Sequence, residues 1–427
     1  MNPNTMTFKT VFSNEYQMSH YKQAVYQIFA DTRLEGGLTK GQTVERSYAS
    51  DVVTNDMGGD GSYSTQAITD TAETLTIDKE KEASIYIKQL DLLQAHLPVK
   101  RKYGSKLANA LINQIDADVM YNMYTGAGTS MDDGDFAGTA GNALTVTSAN
   151  VATVFTTAMQ KLRLNNVIYQ KRFKAGMKLE EATGMPSVAL SPEILTYIEL
   201  YLGGKDTLLG DKATTNGYTG YFHGFECFMS NALPWTGVLA LATIPADGDT
   251  ITINGVILTY VDTLGTTAGN IHIASDVDKT RANTAAFLAA PTVSVASGTD
   301  AGAVALSTAN ANKLKNMTFT NNDTSNTLTV VSRGHGTVVV SETITDGADV
   351  WTAAQQKLFI IFALGRSISL VVQKKPSLVE NPVTGKIGRD YIAWTVYGSY
   401  VFVDQAPQIV KLAVNSSAFT ASAALSR

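Results

Sequence analysis

Between Gly41 and Asp78 the chain alternates apolar and polar residues at a period of two, with Thr and Val/Ile enriched. The first run reads Gly41-Gln42-Thr43-Val44-Glu45-Arg46-Ser47-Tyr48, and the second reads Thr69-Asp70-Thr71-Ala72-Glu73-Thr74-Leu75-Thr76-Ile77-Asp78. A glycine-rich tip, Gly58-Gly59-Asp60-Gly61, lies between them. The pattern predicts a long β-hairpin arm within residues 36–93. A two-stranded ribbon this polar is not stable alone in water, so it needs a surface to lie on, and the expected surface is a neighbouring copy of the chain.

The period then changes. From Pro98 to Tyr124, Leu107, Leu111, Ile115, Val119 and Met123 recur at every fourth position, while Lys106, Asn109, Asn113, Asp116 and Asn122 fall on the other side. This predicts one amphipathic helix about 40 Å long, the spine of a flat domain. Residues 14–31 predict an N-terminal helical arm with Asn14 as its cap. Ser148 is the expected cap of a helix through Val151, Val154, Phe155, Ala158 and Leu162. Ser187–Leu190 predicts a buried strand, Ser191-Pro192-Glu193 a helix start, and Tyr218–Ser230 one alternating strand.

At Trp235 the composition shifts toward Thr, Ala, Asn, Ser and Gly, and residues 237–351 predict a self-contained α+β insertion whose removal leaves a folding remainder. Within it, Thr250–Ile253 and Val256–Tyr260 flank Asn254-Gly255, a strong hairpin signal. Asp276–Ala289 predicts a helix, and Thr327–Val331 and Thr337–Val340 predict strands joined by a turn at Arg333-Gly334-His335-Gly336. Strand character resumes at Leu358–Leu364, Ile368–Val372, Arg389–Val403 and Ala406–Val414, which suggests that the first core is completed after an interruption.

Composition narrows the function. A net charge of −5 over 427 residues argues against a dedicated nucleic-acid binder, and Lys100-Arg101-Lys102 reads as a solvated or inter-subunit face. Cys227 is the only cysteine and reads as a small buried apolar residue in a reducing compartment. Neither a secretion signal nor an apolar run of membrane-spanning length is found, so a soluble protein made in the cytosol is expected.

No nucleophile elbow, phosphate loop or dinucleotide fingerprint occurs, and His20, His96, His223, His272 and His335 lack metal-ligand spacing. Asp132-Asp133-Gly134-Asp135 departs from the calcium-loop frame and reads as an acidic turn. Lys79-Glu80-Lys81-Glu82 reads either as a docking strip of both signs or as a charge-protected strand edge. The expectation is a protein without catalytic residues, cofactor or metal, whose candidate inter-subunit contacts are Arg46, Lys79, Glu80, Lys81, Glu82 and Arg101.

The order of these pieces resembles the major capsid proteins of tailed bacteriophages, the Hong Kong 97-like coat fold. The likeness is carried by Ile68-Thr69-Asp70-Thr71 and Leu75-Thr76-Ile77-Asp78 in the hairpin, the spine helix, Leu190–Glu193, Gly224–Phe228 and Ser230–Pro234. The resemblance implies an α+β chain divided into an N-terminal arm (1–35), an extended loop lying across the adjacent subunit (36–93), and a peripheral domain with the spine helix (94–186). It further implies an axial domain (187–236), an insertion domain projecting from the outer surface to brace capsomers (237–351), completion of both domains (352–414) and a tail (415–427).

By the same resemblance the chain builds an icosahedral shell of hexamers and pentamers around double-stranded phage DNA, assembled in the host bacterial cytoplasm. Its implied partners are itself, a portal, a separate scaffolding protein, the packaged DNA and a decoration protein, and no membrane. Lys40 and Lys79 are implied cross-linking candidates by location. The alternative reading is a secreted or surface β-rich carbohydrate-binding or adhesin module, suggested by the Thr/Asn/Gly-rich stretch. An unrecognised hydrolase using Asp132, Asp133 or His335 rests on residue type alone.

Overall fold

The computed structural model describes residues 24–34, 41–50, 52–57, 59–89, 99–167, 185–205, 220–298, 300–345, 349–383 and 385–417. The helix expected over 14–31 lies largely outside them. Its described end is a short helix, α1 (Tyr26–Phe29), after which Ala30 turns extended and strand β1 (Ala30–Asp31) pairs in parallel with Ile368-Ser369. β2 (Thr43–Ala49) and β3 (Asp70–Thr76) pair antiparallel from Thr43↔Thr76 to Ala49↔Asp70. β4 (Lys79–Lys88) leaves this ribbon for another sheet, so the stretch expected as one arm divides at Thr76.

The spine is α2 (Val99–Gly126), 28 residues long, with Leu107, Leu111, Ile115, Val119 and Met123 all buried. From Ile115 to Met120 every residue is buried, because elements cover the helix on both sides there. Asp116, assigned to the polar side by period, is therefore inside: its Oδ1 accepts the N–H groups of Val25 (2.9 Å) and Tyr26 (2.8 Å), capping α1 from a distant part of the chain.

β5 (Thr129–Met131) and α3 (Val151–Leu164) follow, and the cap of α3 is Asn150, not Ser148; Asn150 Oδ1 accepts the Thr147 N–H at 2.8 Å. Next come β6 (Pro186–Leu190) and α4 (Pro192–Gly203), which starts at Ser191-Pro192 as expected. The single strand expected over Tyr218–Ser230 is instead a hairpin of β7 (Tyr221–Phe222) and β8 (Phe225–Met229). His223 (φ 47) and Gly224 (φ 90) are both left-handed, which makes the tight reversal that alternation cannot reveal.

β9 (Trp235–Ala240), β10 (Thr250–Ile253) and β11 (Val256–Val261) follow, with Asn254 (φ 51) and Gly255 (φ 71) making the turn their sequence demands. β12 (Asn270–His272) leads to α5 (Val277–Ala289), where the Asp276 side chain accepts the Asp278 N–H. β13 (Val295–Gly298), β14 (Ala301–Ala303), α6 (Thr308–Lys313), β15 (Met317–Asn322), β16 (Thr327–Ser332) and β17 (Val340–Glu342) complete this region. The chain closes through β18 (Lys357–Leu364), β19 (Ile368–Pro382), β20 (Gly388–Tyr400) and β21 (Ile409–Asn415).

Three sheets organise the core. The largest has nine strands, ordered β15-β16-β9-β18-β6-β8-β7, with β21 on the other edge of β18 and β5 beyond it. β18 is its centre, buried from Leu358 to Leu364. The second runs β1-β19-β20-β4 and packs the faces of Tyr391, Ala393, Ala83, Ile85 and Ile87 on Leu107 and Leu111 of α2. The third, β13-β14-β12-β11-β10-β17, holds most of the region expected as an insertion.

That region is joined to the central sheet through β9, whose Trp235 and Thr236 pair with Leu358 and Lys357. β9, β15 and β16 extend the nine-stranded sheet from β18, and α5 lies between them and the third sheet. Arg281 of α5 is fully buried, donating to the Leu241 carbonyl (2.6 Å) and to Asn321 Oδ1 (2.9 Å). Residues 333–336 carry the chain from one sheet to another, since β17 pairs with β10 rather than with β16. The composition changes near Trp235, and the pairs that tie β9 to β18 lie at Trp235 and Thr236, just ahead of residue 237.

Candidate subunit interface

The arm has a fixed root. Leu75 and Ile77 point down from β3 and its continuation and are buried against Val371 and Phe402, with Leu34, Val44 and Val396 around them. Glu73, also buried, accepts the Val403 N–H at 2.9 Å. Across the ribbon, Arg46 donates to both Asp404 carboxylate oxygens (Nη1 to Oδ2, 3.1 Å) and to Glu73 Oε2 (3.3 Å), and its guanidinium lies 4.2 Å from the centre of the Phe402 ring. The Asp404 hydrogen bond raises the Arg46 pKa further above its already high value. Backbone fit completes the root: a Cβ on Gly398 would sit 2.3 Å from the Thr76 carbonyl oxygen, so only glycine lets the arm lie this close to β20.

Beyond Ser50 and Thr69 the ladder stops, and side chains hold the two runs together. Gln66 receives the Val53 N–H (3.0 Å) and donates to the Val53 carbonyl (2.6 Å), while Asn55 donates to Ser64 Oγ (3.0 Å). These bonds spend the polar groups inward and leave the apolar ones bare. Val52, Val53, Met57, Tyr63 and Ile68 are 64–80% exposed and line a shallow pocket of about 270 Å³. A cluster of five large apolar side chains on a ribbon tip is the kind of patch that marks an association surface.

No family model and no curated protein matches the chain. Solved structures do. A structure from Mycobacterium phage Che8 matches over 96% of this chain and 97% of its own, at 14% identity and a TM-score of 0.55. The capsid structure of the cyanophage P-SCSP1u matches over 95% of this chain and 93% of its own, at 11% identity and a TM-score of 0.52. The chain has the phage coat fold.

Within the coat fold the residues singled out from the sequence separate by role. Arg46 faces its own chain, as the clamp of the root. In β4, which alternates, Lys79 and Lys81 lie on the face toward α2, while Glu80 and Glu82 are exposed on the opposite face. The docking strip is thus two half-strips on opposite sides of a sheet. Lys79 is half-buried, and burial holds its ammonium below the usual lysine range, with Asp118 and Asp78 opposing that shift. A lysine held under the sheet is poorly placed to cross-link another subunit. Arg101 lies in the first turns of α2, its side chain outside the described residues, as is Lys40.

The acidic run is spent on its own turn. Asp132 accepts the Gly134 (2.9 Å) and Gly141 (2.8 Å) N–H groups, Asp133 accepts that of Thr139 (2.9 Å), and Asp135 meets the Lys161 ammonium at 2.7 Å. The Cys227 thiol is pushed up to about 12 by burial, which suits a packed residue rather than a nucleophile.

Sequence reading missed Asp118 and Tyr397. The Tyr397 hydroxyl donates to Asp118 Oδ2 at 2.6 Å in the core, joining β20 to the spine, and burial followed by the Asp118 charge pushes the phenol well up. A second acid two residues after Asp116 in an apolar helix was the available signal.

Replacing Arg46 with Ala is expected to loosen the arm while the body stays folded. Limited proteolysis within residues 52–68 should quicken several-fold, with no fall in the thermal midpoint beyond a few degrees.

Proposed function

We propose that the chain is the structural subunit of a phage shell, assembling as hexamers and pentamers into an icosahedral capsid around double-stranded DNA. The observation that carries this reading is the arm, rigid at its root and apolar and bare at its tip, on a body with the coat fold. Such an arm suits contact with another copy, and repeated contacts of a coat subunit amount to obligate interfaces of roughly 2,000–5,000 Å². The neighbouring cyanophage structure is a capsid. A net charge of −5 suits a wall that holds DNA without gripping it.

In this reading the third sheet projects outward and braces capsomers, and a portal, a scaffolding protein and a decoration protein are the other partners. The chain's place is the virion, after assembly in the host bacterial cytoplasm. Among the described residues no helix is long and apolar enough to cross a membrane. The chain expressed alone, and again with the phage's scaffolding protein, is to be viewed by negative-stain electron microscopy. Shells, tubes or ring-shaped capsomers are expected; dispersed monomers in both preparations would overturn the reading.

A further inference from the structure

Two half-buried cations meet beside the spine with no acceptor to satisfy them. Arg333 follows β16, and its guanidinium lies 3.9 Å from the centre of the Tyr121 ring of α2. Among the described residues its guanidinium finds no hydrogen-bond acceptor, and its Nε is buried, which leaves the Nη edge to meet a ligand. Stacking on an aromatic face fixes the plane of a guanidinium while leaving its N–H fork uncommitted, an arrangement suited to gripping an oxyanion.

The backbone sets the position of this arginine. Gly334 is left-handed (φ 77), and a Cβ there would lie 2.5 Å from Ala117 Cβ, so the loop rests directly on α2. The Asn316 carbonyl accepts the Arg333 N–H at 3.0 Å, and the Asn316 side chain donates to Gln114 Oε1 at 2.8 Å, which ties the loop to the helix about one turn earlier.

Lys79 approaches from the second sheet. It pairs with Tyr397, whose hydroxyl is bonded to Asp118, and it lies on the face toward α2. Burial is the largest influence on its ammonium and lowers its pKa; the charges of Asp118 and Asp78 oppose that shift without cancelling it, and Arg333 and Lys81 add to it. Of the two carboxylates, Asp118 is engaged by the Tyr397 hydroxyl at 2.6 Å and Asp78 is exposed. The cations Arg333, Lys79 and Lys81 thus outnumber the acids here, in a chain whose net charge is −5.

We propose that Arg333 and Lys79 bind a small tetrahedral oxyanion of the phosphate type, held between β4, the 333–336 loop and the Asp118–Tyr121 turn of α2. Arg333 supplies the planar fork and Lys79 a point charge. Both cations are half-buried against the helix rather than raised on the surface, which favours a small anion over a polymer. The bound anion joins the second sheet to the loop that leaves the nine-stranded sheet, so it stabilises the folded chain by mass action. The site does not depend on the shell reading.

Isothermal titration calorimetry of the full chain with inorganic phosphate, at constant ionic strength in chloride, reads the site directly. Saturable binding that sulfate displaces is expected, and at about ten times the dissociation constant the thermal midpoint should rise by about 1–2 °C. Arg333→Gln and Lys79→Gln should each weaken binding by about ten-fold or more, and Arg333→Lys, which keeps the charge without the fork, by less. Lys374→Gln removes an exposed cation of β19 and should bind like wild type. Circular dichroism checks that each variant folds.

Wild-type chain that gives no saturable heat, or a loss shared equally by Lys374→Gln, would overturn the site. Duplex DNA that displaces phosphate from the wild-type chain would overturn the small-anion assignment and make the pair a nucleic-acid contact.

Discussion

Excising Gly237–Trp351 is expected to yield insoluble chain with no cooperative thermal transition, rather than a smaller folded domain. The cut removes β16 and most of β9, the strands that continue the nine-stranded sheet from the Lys357-Leu358 end of β18. Leu239, Leu328 and Val330, all fully buried, go with them, each having contributed about 1.5–3 kcal/mol. What remains presents the fully buried Trp235 and an open, apolar sheet edge to water, a template for aggregation. A soluble truncated chain with a sharp melt would show that the third sheet and its neighbours are dispensable.

Asp118→Ala is expected to cost about 2–3 kcal/mol in chemical denaturation, the largest effect of a single substitution here. It strands the buried Tyr397 hydroxyl and removes the negative charge facing the half-buried Lys79. Asp118→Asn, which keeps an acceptor for Tyr397, should cost clearly less, and Tyr397→Phe about 1 kcal/mol.

The pH dependence follows from Lys79. Its folded value lies below the unfolded one, so between the two the unfolded chain binds more protons and stability rises with pH. Loss of the Asp118 charge lowers the folded value further. Asp118→Asn should therefore regain part of its deficit as pH is raised toward 10.5, the ordinary lysine value, whereas a flat difference between the two proteins would detach Lys79 from Asp118.

What could be read from residues alone was local. The four-residue recurrence of Leu107 through Met123 gave the spine, Asn254-Gly255 gave its hairpin, and the alternation of Val44 and of Leu75 and Ile77 gave the arm's buried side. What could not be read depended on partners far along the chain. Arg46 looks like a surface cation until Asp404 is brought beside it, and Asp116 looks solvent-facing because a helical period knows nothing of a second covering layer. The change of composition near Trp235 says nothing of the pairing Thr236↔Lys357 beside it, because composition reports solvent exposure and turn content. At the interface, the exposed apolar tip lies within a segment whose polarity was visible.

The parallel pairing of Ala30 with Ile368 has a consequence for biogenesis. At about 5–20 residues per second, a ribosome needs on the order of 15–70 s between making the first of these strands and making the second. Throughout that interval Val25 and Phe29, both destined for the core, have no completed site to enter, even after Asp116 has appeared. The earliest described part of the polypeptide is thus among the last to settle.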